Sequence, residues 1–286
     1  MRGESIMFKK AVRSMDISFI ACACLIGLVA CGVSFAAETE DRVNQWEVGP
    51  EVYYFQYKEP NFNIKTDGVM YGAAASFTHR EPNHLRLKAV GNAALGGIYY
   101  HSTASGSISG IDDYTLEPRI LAGYDIYPSK DLLLTPFFGV GYRYLNDDSS
   151  SMISSTGARG YERESNYFYS PVGVEFSGKL RDKWRLGLIA EYDIFWKGEQ
   201  KSHLENALSG LNTVSNDQSG GYGFRGSLQL QKKGAQFDIV VEPFIRWWSI
   251  KDSQASNLTY TGVIVGYAYE PKYETLEAGA RVAILF

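Results

Sequence analysis

TLEAGARVAILF, Thr275 to Phe286, is the stretch on which the fold turns. Leu276, Ala278, Ala280, Val282, Ile284 and Phe286 fall on one side of an extended strand, and Glu277, Gly279, Arg281, Ala283 and Leu285 on the other. Successive strand side chains point to opposite faces, so an apolar wall is backed by a charge-bearing one. Chain ends normally fray into water. A greasy strand that runs to an aromatic last residue is expected where that strand closes a barrel in a membrane.

The same period-2 pattern recurs upstream. Trp46 to Tyr57, Val69 to His79, Leu85 to Tyr99, Tyr114 to Ile126 and Leu134 to Tyr144 all alternate apolar with polar or small residues. Phe168 to Phe176, Trp184 to Trp196, Tyr222 to Leu230 and Phe237 to Trp247 follow, and the closing strand brings the total to about ten, an even number allowed for such barrels. Soluble sandwich strands run about 5–6 residues, whereas these run about ten or more. The pattern predicts an all-β, antiparallel, up-and-down transmembrane barrel over 46–286.

Connections alternate in length. Glu81-Pro82-Asn83, Ser129-Lys130-Asp131, Arg181-Asp182-Lys183 and Lys233-Gly234-Ala235 are tight and polar. Between them lie the long segments 59–68, 102–113, 146–163, 198–220 and 251–273, rich in Ser, Gly, Asn and Asp. Short periplasmic turns and five long extracellular loops fit a barrel with both ends of the chain in the periplasm. Leu258 to Tyr269 is read as a hairpin arm above the membrane, because counting it as a spanning strand would break the even parity.

At the amino terminus, Lys9, Lys10 and Arg13 precede the apolar run Ile17 to Val33, and Ser34-Phe35-Ala36 offers a small-x-small cleavage site. Residues 1–36 are expected to be a cleaved signal peptide and 37–45 a periplasmic leader; the alternative is lipidation at Cys31. Cys22, Cys24 and Cys31 all lie in that segment, so the mature chain has no thiol for disulfides or metals. Cleavage would move the net charge from −4 to −6, which argues against nucleic acid as a partner.

Strand parity sorts the charges. Glu47, Glu51, Glu117, Asp125, Glu175, Glu191, Asp193, Asp238, Glu242 and Glu277 face inward, opposed by Arg86, Lys88, Arg119, Arg143, Lys179, Arg185, Lys197, Arg225, Arg246 and Arg281. A midplane Arg or Lys on the lipid face costs about 2–4 kcal/mol, and the outward faces carry almost none. The expectation is a paired network filling the lumen, with a narrow polar-lined pore as the alternative. Trp46, Tyr54, Tyr144, Trp184, Trp196 and Trp247 are expected to form the aromatic girdles. Val282, Ile284 and Phe286 are the expected assembly signal.

Catalytic chemistry finds little support. Ten strands resemble the omptin proteases, whose site uses acidic pairs and a His near an Asp. Asp112-Asp113 and Asp147-Asp148 sit at loop bases, but Lys201-Ser202-His203-Leu204 places no Asp beside its His. His101 and Ser102 are adjacent and point oppositely on a strand, so they make no nucleophile–base pair. Four scattered His residues suggest no metal site, and Asp147-Asp148 matches no Ca²⁺ loop. No catalytic residue, metal ligand or cofactor is expected.

The closing TLEAGARVAILF resembles the terminal assembly signal of bacterial outer-membrane barrels. Together with segments such as GYRYLNDDSSS, GYERESNYFYSP and EYDIFWKGEQKSHL, it makes residues 46–286 similar to the small Gram-negative outer-membrane barrels, the OmpA/OmpX-like group in the broad sense. The resemblance implies outer-membrane lipid and lipopolysaccharide as surroundings, periplasmic chaperones and the barrel-assembly machinery as partners, and a monomer. The expected function is a structural, adhesin-like barrel with a charge-filled lumen and recognition by its loops. A small porin is the alternative and an outer-membrane hydrolase a remote one.

Overall fold

The computed structural model describes residues 43–286, so the expected signal peptide and residues 37–42 of the leader lie outside the described residues. The first five strands are β1 (Asn44–Glu59), β2 (Ile64–Arg80), β3 (Leu85–Ser102), β4 (Gly106–Tyr124) and the short β5 (Ile126–Ser129). Next come β6 (Leu132–Asp148), β7 (Glu162–Arg181), β8 (Trp184–His203), β9 (Thr213–Gln218) and β10 (Gly221–Lys232). The last are β11 (Asp238–Ile250), β12 (Ser256–Tyr260), β13 (Val263–Ala268) and β14 (Tyr273–Leu285). All ladders between them are antiparallel.

Ten of these strands close a barrel. β1 to β4 pair in sequence, β4 pairs β6, and the ladder runs on through β7, β8, β10, β11 and β14 back to β1. The seam is the predicted one: Phe286 donates its N–H to the Trp46 carbonyl at 2.9 Å and accepts from Trp46 N–H at 2.7 Å. Closure leaves no unpaired edge facing lipid, which is why a sheet can span a membrane at all. β1 starts at Asn44, so the last two residues of the expected leader belong to the strand.

The tight turns sit where the Pro, Asn, Asp and Gly residues put them. The long excursions, however, keep much of their length as strand. β2 begins at Ile64 and β4 at Gly106, so the first two loops shrink to residues 60–63 and 103–105. The fourth excursion holds β9, which pairs the end of β8. The fifth holds the β12–β13 hairpin, a separate two-stranded sheet as expected for Leu258 to Tyr269.

One predicted side-chain direction is reversed. Phe168 faces Lys197 across the β7–β8 ladder while Tyr169 faces Phe195, so Trp196 is an extra, bulged residue. A bulge resets the alternation. Both Trp196 and Lys197 are exposed, and Lys197 places its ammonium 5.6 Å from the Phe168 ring centroid. Lys197 therefore leaves the inward set.

The barrel interior is layered. Tyr53, Phe55, Met70, Ile98, Ile111, Tyr167, Tyr169, Phe195, Trp248 and Tyr273 make a buried apolar and aromatic cluster. It lies toward the long-loop end of the strands, beyond the charged middle. Two glycines admit its largest rings. Gly141 lies directly under the Tyr169 ring, and a Cβ on Gly223 would stand 2.8 Å from a Trp248 ring atom. Any side chain there would displace the ring.

Candidate functional site

The middle of the barrel gathers most of the expected charges. Arg225 donates to Asp193 at 2.7 Å and to Glu117 at 3.0 Å, and its guanidinium also pairs with Glu191 at 3.2 Å. Arg119 binds Glu191 from the other side. Glu117 lies 3.7 Å from Arg143, which pairs with Glu277. Arg246 then joins Glu277 at 3.0 Å to Glu51 at 3.1 Å. Nine residues from seven strands thus form one chain of alternating sign across the lumen. Glu117 and Glu277 are each 1% exposed and Asp193 0%, so these carboxylates are shielded from solvent by their partners.

Register explains the pairing. Arg281 stands opposite Glu51 on one side and Glu242 on the other, Arg246 opposite Glu277, and Arg225 opposite Glu191. Opposed unlike charges stabilise adjacent strands. Arg225 and Arg246 also face each other as like charges. Acids reaching in from other strands, Glu117 on β4 and Glu277 on β14, offset that repulsion.

The remaining expected residues lie toward the tight-turn end or outside. Arg281 pairs with Glu47 and Glu242, and Arg86 reaches Glu175 at 2.9 Å with Asp125 at 3.9 Å. Lys88, Glu175 and Glu242 line one cavity, and Arg185 donates to Ser177 at 3.3 Å. Asp238 departs from the expected network. It accepts Gln231 at 2.6 Å and the Gly234 N–H at 3.1 Å, capping the β10–β11 turn where that turn needs an acceptor. Trp46, Tyr54, Tyr144, Trp184, Trp196 and Trp247 all stand on the outward face, Trp46 against Phe77 at 4.7 Å between ring centroids. Val282, Ile284 and Phe286 stay on the outer side of β14.

Above the ion pairs lies the aromatic layer, which strand parity already contained but which charge-based reading passed over. Trp248 shares a face with Arg246, Tyr53 with Glu51, and Tyr273 with Glu277. Arg225 and Arg143 sit 5.7 and 6.0 Å from the Trp248 ring centroid, so arginines and rings interlock. Cavities remain at both ends, about 230 Å³ near the tight turns and about 340 Å³ among the loops, and they share no lining residue.

The outer cavity has its own polar group. Arg163 pairs with Glu270 and with Glu59 at 3.6 Å, and donates to the Tyr57 hydroxyl at 3.0 Å. Burial, reinforced by Glu59, holds the Glu270 carboxyl above its ordinary range despite Arg163. Glu59, Arg163 and Glu270 fall in segments whose sequence reads as loop, although Glu59 ends β1 and Arg163 stands at the start of β7, so their alternation carries no signal.

Two features bear on chemistry. Asp113 stands opposite Asp147 across the β4–β6 ladder, and Asp112 opposite Asp148. No His joins them: His203 Nε2 lies 2.9 Å from Glu164, and its Nδ1 lies 3.3 Å from Glu205. His203 closes β8 seven residues beyond Trp196. Burial alone would lower its pKa, but the hydrogen bonds to Glu164 and Glu205 and the charge of Glu162 raise it above the ordinary value. Among the described residues, Glu162, Glu164 and His203 form the one group with metal-ligating atoms mutually within 4.8 Å.

With this geometry in view, the relatives can be placed. The outer membrane protease OmpT from Escherichia coli superposes with a TM-score of 0.52 at 12% identity, covering 90% of this chain and 99% of that one. At that identity the likeness shows the fold alone. The translocator domain of the autotransporter NalP from Neisseria meningitidis gives a TM-score of 0.44 at 9% identity, over 97% of both chains. The Pseudomonas putida toluene transporter TodX gives 0.33 at 10% identity, over 87% of this chain and 90% of that one. No curated protein matches. Residues 54–247, about two thirds of the chain, match the family described as the autotransporter beta-domain. This barrel of the bacterial outer membrane belongs to the autotransporter beta-domain family.

Proposed function

We propose that the chain is a non-enzymatic outer-membrane barrel with a closed lumen that presents a binding surface outside the cell, of the small-barrel kind its closing strand resembles. The observation that carries this reading is the β12–β13 hairpin. Its strands pair with each other rather than with the barrel, and Val263, Ile264, Val265 and Tyr267 are 65%, 55%, 58% and 73% exposed. Apolar residues crowded at a tip beyond the girdles have no lipid to cover them, and exposed apolar patches of this kind mark interaction sites. The barrel supplies the rigid base and the loops the recognition.

Deleting residues 256–268 tests it. Cells displaying the shortened protein are expected to lose adherence to apolar beads and to cell layers. The barrel should keep its heat-modifiable mobility on gels. Unchanged adherence would remove the hairpin from the reading.

A second reading, a narrow channel for ions and small polar solutes, draws on the cavities at both ends of the lumen. Hydrolysis draws only on the opposed aspartates, and His203 is engaged elsewhere by Glu164 and Glu205. A hydrolytic activity lost in His203→Ala protein would reverse the non-enzymatic assignment.

A further inference from the structure

We propose that Glu162, Glu164 and His203 bind one divalent transition-metal ion, with Zn²⁺ as the best-matched species, on the wall of the barrel extension beyond the outer girdle. Glu162 and Glu164 are two residues apart and share a face of β7. His203 follows Ser202, the register partner of Arg163, and so arrives beside them on β8. Two strands thus deliver two carboxylates and one imidazole to one spot, with ligand atoms mutually within 4.8 Å.

The orientation of the imidazole is the informative part. A ligating histidine presents one ring nitrogen to the metal and donates the other N–H to a carboxylate or carbonyl. Here Nε2 points at Glu164, 2.9 Å away, while Nδ1 faces Glu205 Oε1 at 3.3 Å. Thr213 holds that second carboxylate by donating to it at 2.6 Å. Glu162 is steadied separately, accepting from Asn146 Nδ2 at 2.7 Å. Glu162 and His203 therefore each have a support of their own.

A further observation points to missing positive charge. Glu205 Oε2, on a side chain that is 38% exposed, has no hydrogen-bond partner among the described residues. Lys201, which stands opposite Glu164 in the register, lies 3.6 Å from Glu199. A divalent ion on His203 would supply the charge that a solitary imidazolium only partly provides. One imidazole and two carboxylates suit Zn²⁺ better than Ca²⁺ or Mg²⁺, which take all-oxygen shells. Three protein ligands leave the fourth tetrahedral position to water or to a donor from another molecule.

Untagged protein extracted from outer membranes into detergent would be titrated with Zn²⁺ in a calorimeter, and its unfolding midpoint followed by the gel-mobility shift. The expected result is one Zn²⁺ per chain and a midpoint that rises with Zn²⁺ concentration. His203→Gln and Glu164→Gln should weaken binding at least about tenfold, and Glu205→Gln about 10–100-fold through loss of orientation. Glu199→Gln, outside the cluster, should bind as the parent does. All variants would be compared as folded, heat-modifiable barrels. No binding by the folded parent protein, or equal affinity in His203→Gln, would overturn the proposal. So would Ca²⁺ binding that matches Zn²⁺.

Discussion

At the scale of single residues, Arg225 concentrates the most risk. It answers Glu117, Asp193 and Glu191 together and lies over the Trp248 ring. Removing one partner of a buried pair strands the others, at a cost of about 3–5 kcal/mol. Arg225→Met is expected to lower the urea midpoint of the folded barrel accordingly. Adding Glu117→Gln should return part of the loss, because one stranded charge is then neutralised. Additive effects in that double-mutant cycle would show that the two residues do not interact. Asp238 shows the opposite case: equally buried, it serves a turn, so its substitution should disturb the β10–β11 connection and leave the lumen pairs intact.

At the scale of elements, bulges and glycines shape the interior. The bulge at Trp196 turns Lys197 outward and lets Gly198 and Gln200 resume the inward face. Gly223 on β10 leaves the floor on which Trp248 of β11 lies. Gly223→Val would push the indole toward Tyr167 and Tyr169, whose ring centroids stand 6.1 and 5.0 Å from it. Overpacking of this kind costs about 1–3 kcal/mol. The expected outcome is a lowered unfolding midpoint and altered near-ultraviolet circular dichroism, with far-ultraviolet strand content unchanged. An unaltered near-ultraviolet signal would mean the ring layer tolerates the extra volume.

For the whole molecule, two closures stack in series: an ion-pair chain across the middle and an aromatic layer above it. A barrel of about ten strands is only slightly wider than one its side chains fill, so what remains is two end pockets and a smaller cavity of about 100 Å³ bordered by Arg119, Glu191, Arg225 and Arg246. The protein is therefore expected to give no stepwise conductance in planar bilayers. Steady, salt-dependent steps would favour the channel reading instead. In that event Arg143→Ala, beside both Glu117 and Glu277, should change ion selectivity.

The barrel itself was legible in the linear chain, because alternation has period two and lipid tolerates almost no charge on the outward face. Trp46 to Tyr57, Trp184 to Trp196 and Thr275 to Phe286 carry that signal unaided, and tight turns announce themselves through Pro, Asn, Asp and Gly. Strand parity does not reveal the bulge at Trp196, which turns Lys197 outward, since one extra residue reverses parity without leaving a mark in composition. Three things required the closed barrel. Which acid answers which arginine depends on register and on approach across the lumen, as Glu117 of β4 meeting Arg225 of β10 shows. The cluster around His203 depends on β7 and β8 running side by side well past the girdle, so that residues about forty apart in the chain become neighbours. The outer group of Tyr57, Glu59, Arg163 and Glu270 joins a strand end to a loop more than two hundred residues away, a contact no local pattern encodes. Periodicity is a local property of the chain; pairing partners are set only when the sheet closes.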